Sequence, residues 1–393
     1  MKKKSIKIMA FLNLMSEFKL YGVIAILYYV QVTNSMALAM SIFSIATISS
    51  CIFEIPTGII SDKIGRKKTI ILGSISSLTY IVILGIAENY MGLIIASLFN
   101  GLEIAFFSGN NQAYIYDLIE KDKKEQYKVY IGKVNSMIYL AGAVSAMIGT
   151  FIVNFTSFRF VIFLTIVPKA LQLICSFLLE DVVEEKNTEN ILQITKEAIV
   201  LVKNNNILRM QIIADGINDG IGEACFQFRS TFYALVWPEW ALGIPGVLSN
   251  IGAFIANWFS GKIMKRIGTH KLYVISNIYS ILSNCVGVFI KNIYSPIIMT
   301  SNSLFTTEVI QMDIEQKLYN EKYRASMGSI KSFAKNIIFS IIAVILGGLA
   351  DHIGIINAFI MFQCLKFIPI ILYKKIFNNN TKMLCDKNNP SRI

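Results

Sequence analysis

Carboxylate and amide side chains recur inside long apolar stretches of the sequence, where an ionisable group is costly unless it faces a cavity or a partner. The candidates for solute binding or proton coupling are Glu17, Glu54, Asn100, Glu103, Asn110, Asp219 and Glu223. A buried carboxylate can hold a proton near neutral pH, or it can bind a cationic solute. Each residue also has a structural interpretation, in which it bonds to a neighbouring helix or lies at a membrane interface. The residue types leave both interpretations open.

The most regularly spaced acids are Asp215, Asp219 and Glu223, which follow one another at steps of four. Each step turns an α-helix by about 40° beyond a full turn, so the three carboxylates share a broad helix face. Glu103 has a similar placement among amides. We predict that Glu103 faces the same cavity as Asp219 and Glu223. In this prediction Glu103 couples proton movement and Glu223 binds solute.

A second set of charged residues lies near the ends of two later apolar stretches. Asp313 and Glu315 lie at the end of one stretch, and Lys331 and Lys335 lie near the start of the next. We predict that these lysines pair with one or other of the acids at the cytoplasmic face. Such pairs would act as a closure latch.

The stretches that carry these residues are long enough to be transmembrane helices. Hydrophobic residues make up 54% of the sequence, charged residues make up 16%, and the mean hydropathy is +0.56. About twenty apolar residues cross a bilayer as a helix, because lipid offers unpaired backbone groups no partner. The predicted fold is an all-α membrane protein with about twelve transmembrane helices. They cover residues 8–31, 36–60, 69–88, 91–118, 128–153, 157–179, 207–236, 240–264, 272–290, 295–316, 327–350 and 353–373.

The basic residues predict the orientation in the membrane. The chain has 37 Lys and Arg against 25 Asp and Glu, which gives a net charge of +12. Basic clusters precede the first predicted span and follow spans two, four, eight, ten and twelve, as cytoplasmic loops require. Both termini are therefore predicted to be cytoplasmic, and the charge does not indicate nucleic-acid binding. Heavy use of Ile, Lys and Asn indicates a bacterial gene, so the predicted location is the bacterial inner membrane.

The most polar internal segment divides the chain into two similar halves. The predicted domains are a six-helix half over residues 1–180, a cytoplasmic linker over 181–206, a six-helix half over 207–373 and a cytoplasmic tail over 374–393. Residues 260–271 match residues 57–68 in the placement of both glycines and the final lysine. Residues 323–328 match residues 127–132. These two local matches, here called the first and second sequence echoes, occur in the same order in both halves. They predict two six-helix pseudo-repeats.

The sequence from Gly58 to Lys68 combines glycines, an acid and a basic cluster between two predicted helices. Gly58, Asp62, Gly65 and Arg66 fall in a glycine–x–x–x–aspartate–basic–x–glycine–arginine–basic–basic pattern. This pattern resembles the signature loop between helices 2 and 3 of the major facilitator superfamily. The resemblance implies a gating motif, in which Asp62 and Arg66 hold the cytoplasmic side closed against the other half of the chain.

The same resemblance implies a secondary transporter that moves a small organic solute by alternating access. Residues 54–58 and 108–117 resemble a bacterial branch of drug and small-solute transporters, which favours proton-linked export of drugs or toxic metabolites. Uptake of a nutrient is a second interpretation, and a non-transporting receptor or scaffold is a third. The expected partners are a small-molecule substrate, a proton or other coupling ion, and membrane lipids. The expected state is a monomer.

The sequence favours no other class of activity. An ATP-driven pump would need a glycine-rich phosphate loop with a lysine and a Ser or Thr, which the chain lacks. The two histidines, His270 and His352, and the six cysteines show no metal-ligand spacing. We therefore expect no metal, no cofactor and no enzymatic activity.

Overall fold

Every secondary-structure element in the described part of the chain is helical. The computed structural model describes residues 3–118, 127–181, 191–305, 307–319 and 323–387. Within these ranges the chain forms α-helices and short 3-10 helices and no strand. The predicted all-α class is therefore confirmed. The predicted linker and tail fall partly outside the described residues, at 182–190 and 388–393.

The α-helices of the described ranges are numbered in chain order. They are α1 (Lys3–Glu17), α2 (Ala25–Thr33), α3 (Met36–Ile64), α4 (Arg66–Ile86), α5 (Tyr90–Phe107), α6 (Asn110–Asp117), α7 (Tyr127–Val153), α8 (Phe158–Leu164), α9 (Ile166–Phe177), α10 (Ile191–Asn204), α11 (Asn206–Tyr233), α12 (Gly243–Ile267), α13 (Thr269–Ile290), α14 (Ser295–Thr300), α15 (Glu308–Leu318), α16 (Arg324–Ile353), α17 (Ile355–Leu365) and α18 (Phe367–Lys387). The 3-10 helices are Gly22–Ile24, Glu239–Leu242 and Ser301–Phe305.

Nine helical segments of the described chain are long and apolar enough to cross a membrane. They are Lys4–Thr33, Met36–Ile64, Arg66–Ile86, Tyr90–Asp117, Phe158–Phe177, Glu239–Ile267, Thr269–Ile290, Ser326–Ile353 and Ile355–Phe377. Each coincides with one of the twelve predicted spans. The other three predicted spans also contain helices, namely α7, α11, and α14 with α15. Asp215, Asp219 and Glu223 make α11 less apolar, and α14 and α15, with 6 and 11 residues, are each too short to span. Within α7 the apolar run is the shorter Leu140–Val153.

The chain forms two compact units. The first comprises Met1–Asn187 and Gln227–Val247, and the second comprises Thr188–Phe226 and Leu248–Ile393. In the first unit α5 packs between α3 and α4, and α9 packs against α1 and α4. Close approach of α5 to α3 requires Gly101, because an added Cβ would lie 2.6 Å from the carbonyl oxygen of α3 residue Ala46.

The second unit is built around α13. This helix packs against α14, α15, α17 and α18, while α16 packs against α10 and α17. The amphipathic helix α10 belongs to this unit, since buried Ala198 lies in one apolar cluster with Leu208, Tyr319 and Met327. Burial of that face explains why a segment rich in polar residues nonetheless forms a helix.

A glycine with positive φ recurs where one helix follows another without an intervening loop. Gly65 joins α3 to α4 with φ 93°, Gly268 joins α12 to α13 with φ 89°, and Gly354 joins α16 to α17 with φ 84°. A residue with a Cβ is strained in this region, so each junction favours glycine. The first two glycines are the ones that the sequence echo aligned.

A side-chain contact repeats with this junction in each unit. Arg66 Nε lies 3.7 Å from Asp117 Oδ2 in the first unit. Thr269 Oγ1 donates to Asp313 Oδ2 at 3.2 Å in the second. Arg66 and Thr269 each follow the junction glycine, and both acids lie ten residues before the second sequence echo. The repeat therefore extends from sequence to individual contacts.

Candidate functional site

A buried ion pair joins α5 to α9 in the first unit. Lys169 Nζ lies 3.1 Å from Glu103 Oε1, and the two side chains are 0% and 4% exposed. Ser77 Oγ donates to the same carboxylate oxygen at 2.6 Å. Because burial strips water from both charges, each depends on the other for compensation.

The same lysine satisfies a broken helix end. Helix α1 ends at Glu17, and regular helix resumes with the 3-10 turn at Gly22. The last carbonyls of a helix lack intrahelical partners. Lys169 Nζ donates to one of them, the carbonyl oxygen of Ser16, at 2.7 Å. Lys169 thus ties the interruption in the first span to Glu103.

A cavity of about 410 Å³ lies beside this pair. Its polar lining includes Asn13, Ser16, Glu17, Lys19, Glu103 and Asn111. Lys19 Nζ lies 3.3 Å from Glu17 Oε2, and these side chains are 30% and 37% exposed. The structure therefore brings two of the predicted site residues, Glu17 and Glu103, to one cavity. Its wall carries these two carboxylates together with the ammonium group of Lys19.

An aromatic cavity of about 180 Å³ also lies in the first unit. Its lining includes Lys19, Tyr21, Tyr29, Phe43, Tyr80 and Asn100. The Tyr21 hydroxyl donates to the Tyr80 hydroxyl at 2.9 Å, and the Tyr29 hydroxyl lies 3.4 Å from the same Tyr80 hydroxyl. Asn100 was predicted for the site and lies here. Lys19 lines both cavities, so one ammonium group stands between a charged compartment and an aromatic one.

Two other predicted residues of the first unit have different surroundings. Glu54 is exposed, and its Oε1 accepts from Ser108 Oγ at 3.5 Å. Asn110 is buried, accepts from Ser61 Oγ at 3.0 Å and donates to the carbonyl oxygen of Arg66 at 3.1 Å. Asn110 therefore fixes the α3–α4 junction.

The gating motif surrounds this junction. Arg66 contacts Asp117 and also donates through Nη1 to Ser61 Oγ at 3.3 Å. Gly65 supplies the turn, while Gly58 and Asp62 are exposed. The contact of Arg66 with Asp117 lies within the first unit. The predicted closure by Asp62 and Arg66 against the other half stays a prediction.

The second unit contains a cluster of three carboxylates around Lys331 of α16. Lys331 Nζ lies 3.5 Å from Asp215 Oδ2 and 3.9 Å from Asp219 Oδ2, and it is closer still to Glu315 Oε1. Of the predicted pairings of Lys331 and Lys335 with Asp313 or Glu315, the structure shows the one between Lys331 and Glu315. Glu223 lies one turn beyond Asp219 on α11 and is half-buried.

Amide and hydroxyl groups complete this cluster. Gln311 Nε2 donates to Asp215 at 2.9 Å and to Asp219 at 3.0 Å. Gln211 Nε2 donates to Asp215 at 3.3 Å, and the Tyr373 hydroxyl donates to Asp215 as well. Four helices, α11, α15, α16 and α18, therefore meet at one polar centre.

The predicted acids thus fall into two groups. Glu103 lies in the first unit, and Asp219 and Glu223 lie in the second, so the predicted shared cavity stays a prediction. The site assignment missed Lys169 and Lys19, although a lysine inside an apolar stretch already signals a carboxylate partner. Sequence spacing did not say which acid that partner was.

Comparisons with known proteins agree with this architecture. The sequence matches the Major Facilitator Superfamily over residues 7–343. An uncharacterized MFS-type transporter of Methanocaldococcus jannaschii is 25% identical over 334 residues, which cover 81% of this chain and 83% of that protein. An uncharacterized transporter of Buchnera aphidicola subsp. Acyrthosiphon pisum is 34% identical over 123 residues, so the match spans 31% of this chain and only 30% of that relative. The crystal structure of the nucleoside transporter NupG superimposes with a TM-score of 0.78 and 12% identity, over 96% of this chain and 99% of that one. That structural likeness shows the shared fold.

Proposed function

The chain belongs to the major facilitator superfamily, and on that basis we propose that it moves a small organic solute by proton-linked alternating access. The proposed direction is export of drugs or toxic metabolites. The proposed location is the bacterial inner membrane, with both termini in the cytoplasm, because the basic clusters follow alternate spans. Asp62 and Arg66 are the proposed gate.

The charged cavity of the first unit carries this proposal. Its volume of about 410 Å³ is in the range that holds small organic ligands, roughly 300–1,000 Å³. Glu17, Lys19 and Glu103 line it with both signs of charge. Such a lining suits a cationic or zwitterionic solute better than an apolar one, since an apolar solute would displace water from these charged groups without offering them a hydrogen bond or a counter-charge.

The two ion pairs differ in how readily a solute can replace a partner. The Glu17–Lys19 pair is about one-third exposed, and exposed pairs are worth only about 0–1 kcal/mol. The Glu103–Lys169 pair is buried, and breaking such a pair costs about 3–5 kcal/mol. We therefore propose that a solute ammonium group displaces Lys19 from Glu17, while Lys169 keeps Glu103 in place.

Transport by inverted membrane vesicles with an imposed pH gradient tests the proposal. A panel of cationic, zwitterionic and neutral organic solutes should show gradient-dependent movement of cationic or zwitterionic members, and an uncoupler should abolish it. Glu17→Gln should weaken solute binding. Glu88→Gln is the matched control, because Glu88 forms an exposed pair with Arg159 away from both cavities. Solute movement that does not depend on the pH gradient would contradict the proposal. Equal solute binding by Glu17→Gln and Glu88→Gln would contradict it as well.

A further inference from the structure

Lys19 is the side chain that the two cavities of the first unit have in common. It lines the charged cavity together with Glu17 and Glu103, and it lines the aromatic cavity together with three tyrosines. An ammonium group can donate three hydrogen bonds. Among the described residues, Lys19 Nζ contacts the two carboxylate oxygens of Glu17. At least one of its donors is therefore available to a group bound in the aromatic cavity.

The charged cavity has acceptor atoms without donors. Glu103 is 3% exposed, and its Oε1 accepts from Lys169 and Ser77. Its buried Oε2 accepts no hydrogen bond from the described residues. The same holds for the buried Oδ1 of Asn111, which also lines this cavity. Buried acceptors without a donor are uncommon, and a bound ammonium group would supply the donors that these oxygens lack.

The aromatic cavity has the opposite character. The hydroxyls of Tyr21, Tyr29 and Tyr80 carry one hydrogen each, because tyrosine is neutral near pH 7. The two contacts among these hydroxyls use two of the three hydrogens, so one is left to donate to a bound acceptor. Lys19 adds a positive charge, and the described residues that line this cavity include no Asp or Glu. The cavity therefore suits an anionic group.

The interruption in the first span places a matching helix end beside each cavity. Ser16 and Glu17 form the end of α1 and line the charged cavity. Gly22 begins the 3-10 helix, Ala25 begins α2, and both line the aromatic cavity. A helix carries partial negative charge at its C-terminal end and partial positive charge at its N-terminal end. The backbone therefore favours a cationic group in the charged cavity and an anionic group in the aromatic one.

We propose that the two cavities bind one zwitterionic solute of the amino-acid type, with its ammonium group at Glu17 and its carboxylate at Lys19 and the tyrosine hydroxyls. The solute enters the Glu17–Lys19 pair, so two ion pairs replace one and the local net charge stays the same. A simple amine would instead take Glu17 from Lys19 and place a second positive charge beside that lysine. The inference deepens the proposed function and rests on it for transport, because it selects the zwitterion among the solutes that suit the charged cavity.

Solute binding to the full chain in detergent micelles tests the inference without a pH gradient. Isothermal titration calorimetry would compare the standard amino acids with the amine and the carboxylic acid that keep the same side chain. For phenylalanine these are phenethylamine and 3-phenylpropionate. At least one amino acid should bind about tenfold more tightly than either counterpart, the gain that one charge-assisted hydrogen bond supplies. Failure of every amino acid to bind, or equal binding of each amino acid and its amine, would overturn the inference.

Two single variants should change this preference in opposite ways. Lys19→Gln removes the partner of the solute carboxylate, so the advantage of the amino acid over its amine should fall about tenfold. Glu17→Gln removes the partner of the ammonium group, so the advantage over the carboxylic acid should fall instead. Both side chains are about one-third exposed, so both variants should fold. Glu88→Gln, in the exposed pair with Arg159, is the matched control and should keep the preference.

The outcomes separate this inference from the proposed function. An amino acid that binds with the expected preference, to a protein that moves no solute in vesicles, would leave the inference standing and remove the proposed function. Gradient-driven movement of simple amines, by a protein that binds no amino acid more tightly than its amine, would overturn the inference and leave the proposed function standing. An equal response of Lys19→Gln and Glu88→Gln would also overturn the inference.

Discussion

Replacement of Glu103 by Gln tests how strongly the buried ion pair supports the first unit. The change leaves the Lys169 ammonium fully buried, with the carbonyl oxygen of Ser16 as its remaining protein acceptor among the contacts described above. An uncompensated charge in such a site costs about 3–5 kcal/mol. The lost charge-assisted bond from Ser77 is part of that cost. We expect Glu103→Gln and Lys169→Met each to lower the free energy of unfolding by this amount.

The double variant, Glu103→Gln with Lys169→Met, separates the energy of the ion pair from the effect of losing each side chain. When both charges are removed, no buried ion is left alone, and such replacements are often close to neutral. The double variant should therefore be several kcal/mol more stable than the sum of the single effects predicts. Unfolding in mixed micelles with increasing denaturing detergent measures all three changes, with solute-free protein throughout.

An exposed ion pair of almost the same length provides the control. Arg159 Nη1 lies 3.2 Å from Glu88 Oε1, but these side chains are 41% and 74% exposed. Glu88→Gln should cost no more than about 1 kcal/mol. A cost of Glu103→Gln as small as that of Glu88→Gln, or simple addition of the Glu103 and Lys169 effects, would contradict a strong buried pair.

Other predictions concern packing, gating and topology. Gly101→Ala should destabilise the first unit by about 1–3 kcal/mol through overpacking, whereas Gly142→Ala, with open space at the new Cβ, should not; equal unfolding transitions would contradict this. Asp62→Asn should cut turnover and favour the inward-open state, and normal turnover with unchanged cytoplasmic accessibility would refute the gate. In intact cells that express the protein without its native cysteines, an impermeant thiol reagent should label Asn34→Cys but not Asn187→Cys, and the reverse pattern would overturn the orientation.

The helices and their junctions were predictable from the sequence because each depends on local properties. Apolar runs of sufficient length specify membrane helices. Gly65 and Gly268 occupy backbone conformations that favour glycine, so the echo between the two halves carried structural information. Opposite charges at adjacent span ends predicted that Lys331 or Lys335 pairs with Asp313 or Glu315, and the structure shows the Lys331–Glu315 pair.

The arrangement of the site depends on breaks that apolar periodicity does not reveal. The segment 91–118 was predicted as one continuous helix, and that places Asn110 on the same face as Glu103. The chain instead breaks at Gly109, which has φ 68°, and the new helix turns Asn110 toward Ser61. The interruption after Glu17 likewise exposes the carbonyl that Lys169 binds.

Partner choice was also beyond the sequence. Lys169 lies in an apolar stretch, and its position in the sequence does not say which acid it contacts. Spacing along one helix fixes a residue's face, but the rotation of one helix against another decides which side chains meet. The burial of Asp215 with four donors is a result of this kind.

Simultaneous measurement of solute and proton movement tests the central claim most directly. Purified protein in sealed liposomes, with a pH-sensitive dye inside, can be given a solute identified by the vesicle panel in the absence of an applied gradient. Downhill solute movement should drive protons across the membrane in a fixed ratio to solute. Solute movement by the unmodified protein without any proton movement would contradict proton-linked transport.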